Sequence, residues 1–339
     1  MADQQLLAVP DTLQAYDWRM ADPSDAPAVH ALFVAIDQAD RLSQAGTLDD
    51  VRREFEDKWC DPASQWLLAF APGGELAAIG RFWINPEPEP SQRAPRAYLS
   101  GEVHPAQRGR GLGRYLMDWL EPRARARLLQ RYGPGPAVLR TWSPAEVPGR
   151  VALLERYGYR PIRVFNRMRR NLADPIPPVQ LPEGLTLATY RPELSAVLHA
   201  LHNEAFVDHW EYEPVSAEEW QLFFVGRPTR RPELSFIALA GDEIAGMSLN
   251  RVSPEENARQ GFSEGWIGAV GVRRAYRRRG IASALITAAL HAFRAAGLEY
   301  AGLGVDAENL SGALRIYERL GFRVVQRTLN FNKEVELNQ

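Results

Sequence analysis

Apolar positions in the second half of the chain change period from element to element. Leu194, Val197, Leu198 and Leu201 recur at helical spacing and predict a helix over 193–206. Ser216 followed by Glu219 is a capping box that opens a second helix through position 224. Ile281, Leu285, Ala288 and Ala292 mark the buried stripe of a third, over 280–296, closed by Gly297. A fourth spans 310–320 and stops at Gly321. Short β-rich runs predict strands at 185–190, 234–240, 244–252, 266–272, 300–305 and 322–331. The order is strand, two helices, three strands, helix, strand, helix, strand. That is an α/β pattern, with antiparallel hairpins first and a β-α-β crossover later.

The first half repeats this pattern. Val103-His104-Pro105-Ala106-Gln107-Arg108-Gly109-Arg110-Gly111 lines up with Val272-Arg273-Arg274-Ala275-Tyr276-Arg277-Arg278-Arg279-Gly280, a period of about 169 residues. Downstream, Arg156-Tyr157-Gly158-Tyr159 matches Arg319-Leu320-Gly321-Phe322 after a deletion of six residues. Between the halves Pro175, Pro177, Pro178 and Pro182 forbid a helix or central strand and predict a stiff linker. The division expected is a first domain at 1–172, a linker at 173–183 and a second domain at 184–339.

Composition narrows the function. With 45% apolar residues and a net charge of −2, the 339-residue chain has enough apolar surface for packed cores and no global attraction to nucleic acid. A single cysteine, Cys60, forms no internal disulfide. The first ten residues carry no basic, apolar leader and no stretch is long enough to span a bilayer, so a cytoplasmic protein without a membrane partner is expected. Histidines and the cysteine show no ligand spacing, so no metal is expected. Lysine occurs only at Lys58 and Lys333, leaving arginine to carry nearly all the positive charge.

The two glycine turns hold the candidate chemistry. Gly280 permits a backbone conformation costly to other residues, and a helix starts there with free N–H groups and a positive dipole end. Arginines on the same turn add charge. The turn reads as a diphosphate cradle, present twice. With its strand–turn–helix setting, and with Asn309, Tyr317, Gly321 and Phe322 following at fixed spacing, it resembles the GNAT superfamily of acyl-CoA-dependent N-acyltransferases. The tandem arrangement is similar to mycothiol-synthase-like double GNAT proteins. The resemblance implies two GNAT-like domains, each a central mixed, mostly antiparallel sheet flanked by helices.

It also implies roles. Arg277, Arg278, Arg279, Gly280, Ile281 and Ala282 would bind the coenzyme A pyrophosphate. Val270 and Val272 would pair their main chain with pantetheine, while the strand from Tyr300 splays away to leave a slot. Asn309 would bond pantetheine or its neighbours, and Tyr317 would protonate the departing thiolate. The family often places a Glu where Trp266 stands; Glu264, two residues earlier and on the same strand face, is the expected base. Asp208, His209 and Glu211 lie between the first two helices, where the family binds its acceptor, and acids there suit a cationic amine; His209 is a second candidate base.

In the first half, Val103, Arg108, Gly109, Arg110, Gly111 and Gly113 form the better glycine turn, but Leu154 replaces the tyrosine and donates no proton. Pro122 is expected to kink the helix there, and Trp83, Tyr98 and Trp142 are candidate pocket residues. The expectation is therefore an acetyl-CoA-dependent N-acetyltransferase acting on a small primary amine in a ternary complex, catalytic in its second half and monomeric. The alternatives are acetylation of an amino-sugar thiol precursor as in mycothiol synthesis, acetylation of a protein or peptide amine, and a non-catalytic acyl-CoA-binding module.

Overall fold

The computed structural model describes residues 8–42, 45–56, 60–84, 94–309 and 312–338. It holds two compact units, 1–163 with 328–339, and 164–327. These differ from the division at 172 and 184, because each repeat gives its closing strand to the unit built mainly by the other.

In the first unit the strands are β1 (Asp17–Met20), β2 (Trp66–Phe70), β3 (Leu76–Trp83), β4 (Arg96–Val103) and β5 (Gly135–Pro144). Helices α1 (Ala26–Asp40), α2 (Leu48–Phe55) and the short α3 (Pro62–Gln65) lie between β1 and β2. Helix α4 (Leu112–Tyr132) connects β4 to β5, and α5 (Pro148–Arg156) follows β5. Sheet order is β1-β2-β3-β4-β5, and the run 328–337 of the last strand pairs antiparallel with β5, Phe331 opposite Thr141. One core, with Trp119 and Leu120 of α4, covers one face; the other, with Val29 and Leu32 of α1, covers the opposite face. Helix α4 runs through Pro122 as one continuous 21-residue helix.

The second unit begins within β6 (Arg160–Asn171) and continues through β7 (Thr186–Thr189), α6 (Ser195–Ala205), α7 (Ala217–Glu219), β8 (Phe236–Ala240), β9 (Glu243–Val252) and α8 (Pro254–Gln260). It is completed by β10 (Glu264–Val272), α9 (Ile281–Ala295), β11 (Tyr300–Asp306), α10 (Ala313–Arg319) and the start of β12 (Arg323–Leu337). Sheet order is β6-β11-β10-β9-β8-β7. All pairings are antiparallel except β10 with β11, which α9 connects as the expected crossover.

Helix α9 buries Leu285, Ala289, Leu290 and Phe293 completely. Each large apolar side chain so buried contributes roughly 1.5–3 kcal/mol before entropy is charged. The Ser216 capping box forms as expected, but the helix passes into a π turn over Trp220–Val225 instead of continuing as α. Helix α8 had no counterpart in the sequence reading. The first two positions of the helix expected at 310–320 lie outside the described residues, and it is seen from Ala313. The proline stretch is tied to the second unit: Arg170 donates to the Pro175 carbonyl at 2.7 Å, and His291 Nε2 lies 2.9 Å from that of Pro177. Among the described residues no helix is long and apolar enough to cross a membrane.

Candidate active site

Strand β10 is built to leave its neighbour. Up to Ile267 it pairs with β11, Glu264 opposite Tyr300 and Ile267 opposite Leu303. At Gly268 it bulges against β9, and beyond that β10 pairs only with β9 while β11 pairs with β6. A Cβ at 268 would stand 2.9 Å from the Leu249 carbonyl oxygen, so the bulge requires glycine. The Arg273 amide bonds the Ala245 carbonyl on the β9 side. Antiparallel alternation then turns the main-chain groups of Val270 and Val272 toward the gap. The splayed slot expected from the sequence is present.

At the open end of the slot the chain turns into α9. Gly280 has φ +87°, its Cβ position is empty to 4 Å, and no side chain caps the helix, so its first N–H groups stay unsatisfied. Ile281 is buried and offers only its main chain. Arg278 also has positive φ, +60°, where the first repeat has Gly109 at +78°. A side chain in that region costs roughly 1–2 kcal/mol. It lines a cavity of about 780 Å³, with Gly280, Ser283, Gly312, Arg315, Ile316, Glu318, Arg319 and Arg323. Among the described residues none of the four guanidinium groups makes an ion pair. Arg315, Arg319 and Arg323 were missed in the sequence; their four-residue spacing across a helix end was the available signal.

The other two turn arginines do different work. Arg277 Nε reaches the Val272 carbonyl at 3.3 Å, while its Nη atoms bond Asp208 at 2.5 Å and the Ala205 carbonyl at 2.8 Å. Arg279 lies over the Tyr276 ring. Arg277 is thus a clamp that shapes the turn. Asp208 is the other jaw, paired also with Arg274 at 3.1 Å, and both arginines hold its carboxyl below the usual range.

Tyr317 on α10 is half-buried and packs edge-on to Phe322, ring centres 6.0 Å apart. Its hydroxyl has no hydrogen-bond partner among the described residues. Burial pushes its pKa up to about 12, so it keeps its proton through neutral pH. Asn309 forms the turn between β11 and α10, its amide donating to the Asp306 carbonyl at 3.2 Å.

On the opposite sheet face Glu264 is 6% exposed and lies across Gly302. It bonds Arg167 through one oxygen and Arg169, at 2.7 Å, through the other. Those bonds occupy the oxygens that a base would need. His209 packs at a tilt against Phe206, ring centres 4.5 Å apart, and desolvation holds its pKa below the ordinary imidazole value against the pull of Asp306. Neither ring nitrogen is hydrogen-bonded among the described residues. Trp210 packs toward Phe165, and Glu211 sits at φ +50°. Asn203 pins this loop: its Oδ1 accepts from the Tyr212 hydroxyl at 2.8 Å and the Val215 amide at 3.0 Å.

The first unit keeps the frame. Strands β4 and β5 pair only from Arg96 to Tyr98 and then part, without a bulge on the β3 side. Gly109 and Gly111 take positive φ, and Arg108 bonds the Val103 carbonyl and Asp40 as Arg277 bonds Val272 and Asp208. Arg110 precedes Gly111 on the turn, and Gly113 lies in the first turn of α4. Here Glu102, on the unpaired part of β4, meets Arg150 of α5 with both oxygens 2.8 Å from one nitrogen. That pair ties the unpaired part of β4 to α5. Leu154 is 3% exposed, in the core. Trp83 stacks on Tyr98 and meets Trp142 edge-on.

Known proteins share this architecture. The Acetyltransferase (GNAT) family matches residues 30–133 and 196–322. A mycothiol acetyltransferase of Thermobispora bispora is 32% identical over 88% of this chain and 93% of its own length. One of Geodermatophilus obscurus is 30% identical over 89% and 92%. The crystal structure of a GCN5-related N-acetyltransferase from Sphaerobacter thermophilus superimposes with TM-score 0.74 at 30% identity, covering 97% of this chain and 98% of that one. A tandem GNAT protein from the clavulanic acid biosynthesis pathway shares the fold at TM-score 0.68 and 18% identity, over 96% and 99%. With its fold, its two splayed strand pairs and its two glycine turns, the chain belongs to the GNAT acetyltransferase family and carries the family's domain twice.

Proposed function

We propose that the second unit transfers an acetyl group from acetyl-CoA to a primary amine within a ternary complex. The carrying observation is the cavity of about 780 Å³ at the N-terminus of α9, with four arginines that make no ion pair among the described residues beside helix N–H groups that no side chain caps. An arginine-lined cavity at a helix start suits a polyphosphate, and coenzyme A carries one at the end remote from its thiol. In this reading the Val270 and Val272 main chain holds the pantetheine arm, and Asn309 fixes the turn beside it. A β10 amide facing the slot donates to the oxyanion formed when the amine attacks the thioester. Such a preorganised donor contributes ~2.7–4 kcal/mol. Tyr317 gives its proton to the leaving thiolate. His209 is the better base, because desolvation favours its neutral form and its nitrogens make no hydrogen bond among the described residues, whereas Glu264 is engaged by two arginines.

The test is free-thiol release from acetyl-CoA across a library of primary amines, with the acetylated product identified by mass. Saturable acetyl-CoA binding without release for any amine would reduce the chain to an acyl-CoA-binding module. A second reading, acetylation of the amino-sugar thiol precursor of mycothiol, is favoured by relatives of about 30% identity along most of the chain that are named for mycothiol. Release with that precursor alone supports it.

A further inference from the structure

Arginines crowd the face of the second unit that carries Trp266. Arg167 and Arg169 share Glu264, and Arg251 meets Glu256 at 3.5 Å. Arg167 and Arg251 lie 4.5 and 5.3 Å from the Trp266 ring centre. Arg230 differs from all three. It is half-buried, its Nη1 donates only to the Asn250 carbonyl, at 3.3 Å, and its Nε is buried without a partner. No carboxylate pairs with it among the described residues, and the arginines whose charge it feels, Arg251 and Arg227, are repulsive. A cation withdrawn from water without a counter-ion is unfavourable, and here the repulsion adds to the cost. Burial and Arg251 push its pKa down to about 10, which still leaves it charged at neutral pH.

Its place matters as much as its isolation. A Cβ built on Gly268, the bulge residue, would stand 3.6 Å from Arg230 Nη1 and 4.0 Å from Trp266 Cδ1. The guanidinium therefore sits over the β9–β10 bulge, on the β9 side of the residue at which β10 leaves β11. With Nη1 engaged by Asn250 and Nε buried, Nη2 is the nitrogen left to meet a carboxylate or phosphate, in a charge-assisted hydrogen bond.

We infer that Arg230 binds an anionic group, carboxylate or phosphate, carried by the acceptor amine beside Trp266; this rests on the acetyltransferase reading above. Arg230 thus selects among amines and leaves the acetyl donor site untouched. The acids at Asp208 and Glu211 then play no part in choosing the amine by charge.

The experiment uses the full chain with acetyl-CoA and matched acceptors: the common L-amino acids against their carboxamides, and glucosamine 6-phosphate against glucosamine. Free-thiol release gives kcat/KM for each, in the native protein and in Arg230→Met. The expected result is a preference of about tenfold or more for the anionic member of at least one pair, collapsing in Arg230→Met with acetyl-CoA affinity unchanged. Thermal melting separates binding from packing, since removal of an uncompensated cation leaves Tm equal or higher. Equal rates within every pair, a preference that survives Arg230→Met, or a lowered Tm would overturn the inference. So would no release with any member while acetyl-CoA binds, leaving the donor site standing. Failure of acetyl-CoA to bind at all overturns the acetyltransferase reading and this inference with it.

Discussion

The two units share a frame and differ in what fills it. Each opens a parallel strand pair into a gap, and each fastens its turn with an arginine on the strand-end carbonyl and an aspartate. Where the second unit has Gly271 and Ala313, the matching positions in the first are Glu102 and Arg150, whose ion pair ties the unpaired part of β4 to α5. Between its long and last helices the second unit has the arginine-lined cavity. The first has a cavity of about 480 Å³ lined by Met117, Asp118, Glu121, Pro122, Arg125 and Tyr157. Two acids and a tyrosine whose proton is held by desolvation and Asp118 are poor company for phosphate. The difference teaches that a glycine turn records ancestry, whereas charge around the last helix records use.

Substitutions at the site and one change of pH break or sharpen this contrast. The largest effect is expected from Tyr317→Phe, with turnover lowered ~10²–10⁴-fold and acetyl-CoA affinity unchanged in a thiol-release assay. Leu154→Tyr in that background restores nothing, because the position is in the core. Arg315→Met removes one charge from the donor cavity; calorimetry should show the acetyl-CoA Kd rising roughly tenfold to a hundredfold, more at low salt. Glu102→Gly combined with Arg150→Ala copies the second unit's residues into the first. A titration should then show a second acetyl-CoA site where the native chain has one, and unchanged stoichiometry would clear the ion pair of barring the gap.

Another expected effect is a pH dependence of stability in the second unit. His202 is 5% exposed among Phe206, Trp220 and Phe224, and burial drops its pKa to about 4. The unfolded chain takes up its proton near pH 6.5 while the folded one does not. This stability is therefore complete above pH 6.5 and is lost as pH falls toward 4, on the order of 3 kcal/mol in all. Calorimetric melting at pH 7 and pH 4.5 checks it through the second unit's transition.

Periodicity and the repeat made the strand order legible, because alternation and helical stripes follow directly from burial. The exchange of closing strands was not. The run 328–337 pairs with β5 of the first unit, and no local pattern names that partner. The turn was legible through its glycines, and Tyr317 through its spacing from Gly321-Phe322. Glu264 was misleading: its side-chain parity is as expected, but Gly302 lets it lie across β11 to two arginines more than ninety residues away in sequence. Asp208 likewise has the charge expected of an acceptor site, and its charge is spent on the turn. The bulge at Gly268 left no trace beyond one glycine in a strand.

The central claim is that the second turn, and not the first, carries the acetyl donor used in catalysis. Calorimetric titration with acetyl-CoA of Gly280→Asp beside Gly111→Asp, each also assayed for thiol release, tests it most directly. Both sites have positive φ and open space, so each variant adds a similar strain and a carboxylate to its own cradle. The account predicts that Gly280→Asp loses donor binding and turnover while Gly111→Asp keeps both. Turnover retained in Gly280→Asp, or lost in Gly111→Asp alone, would contradict it.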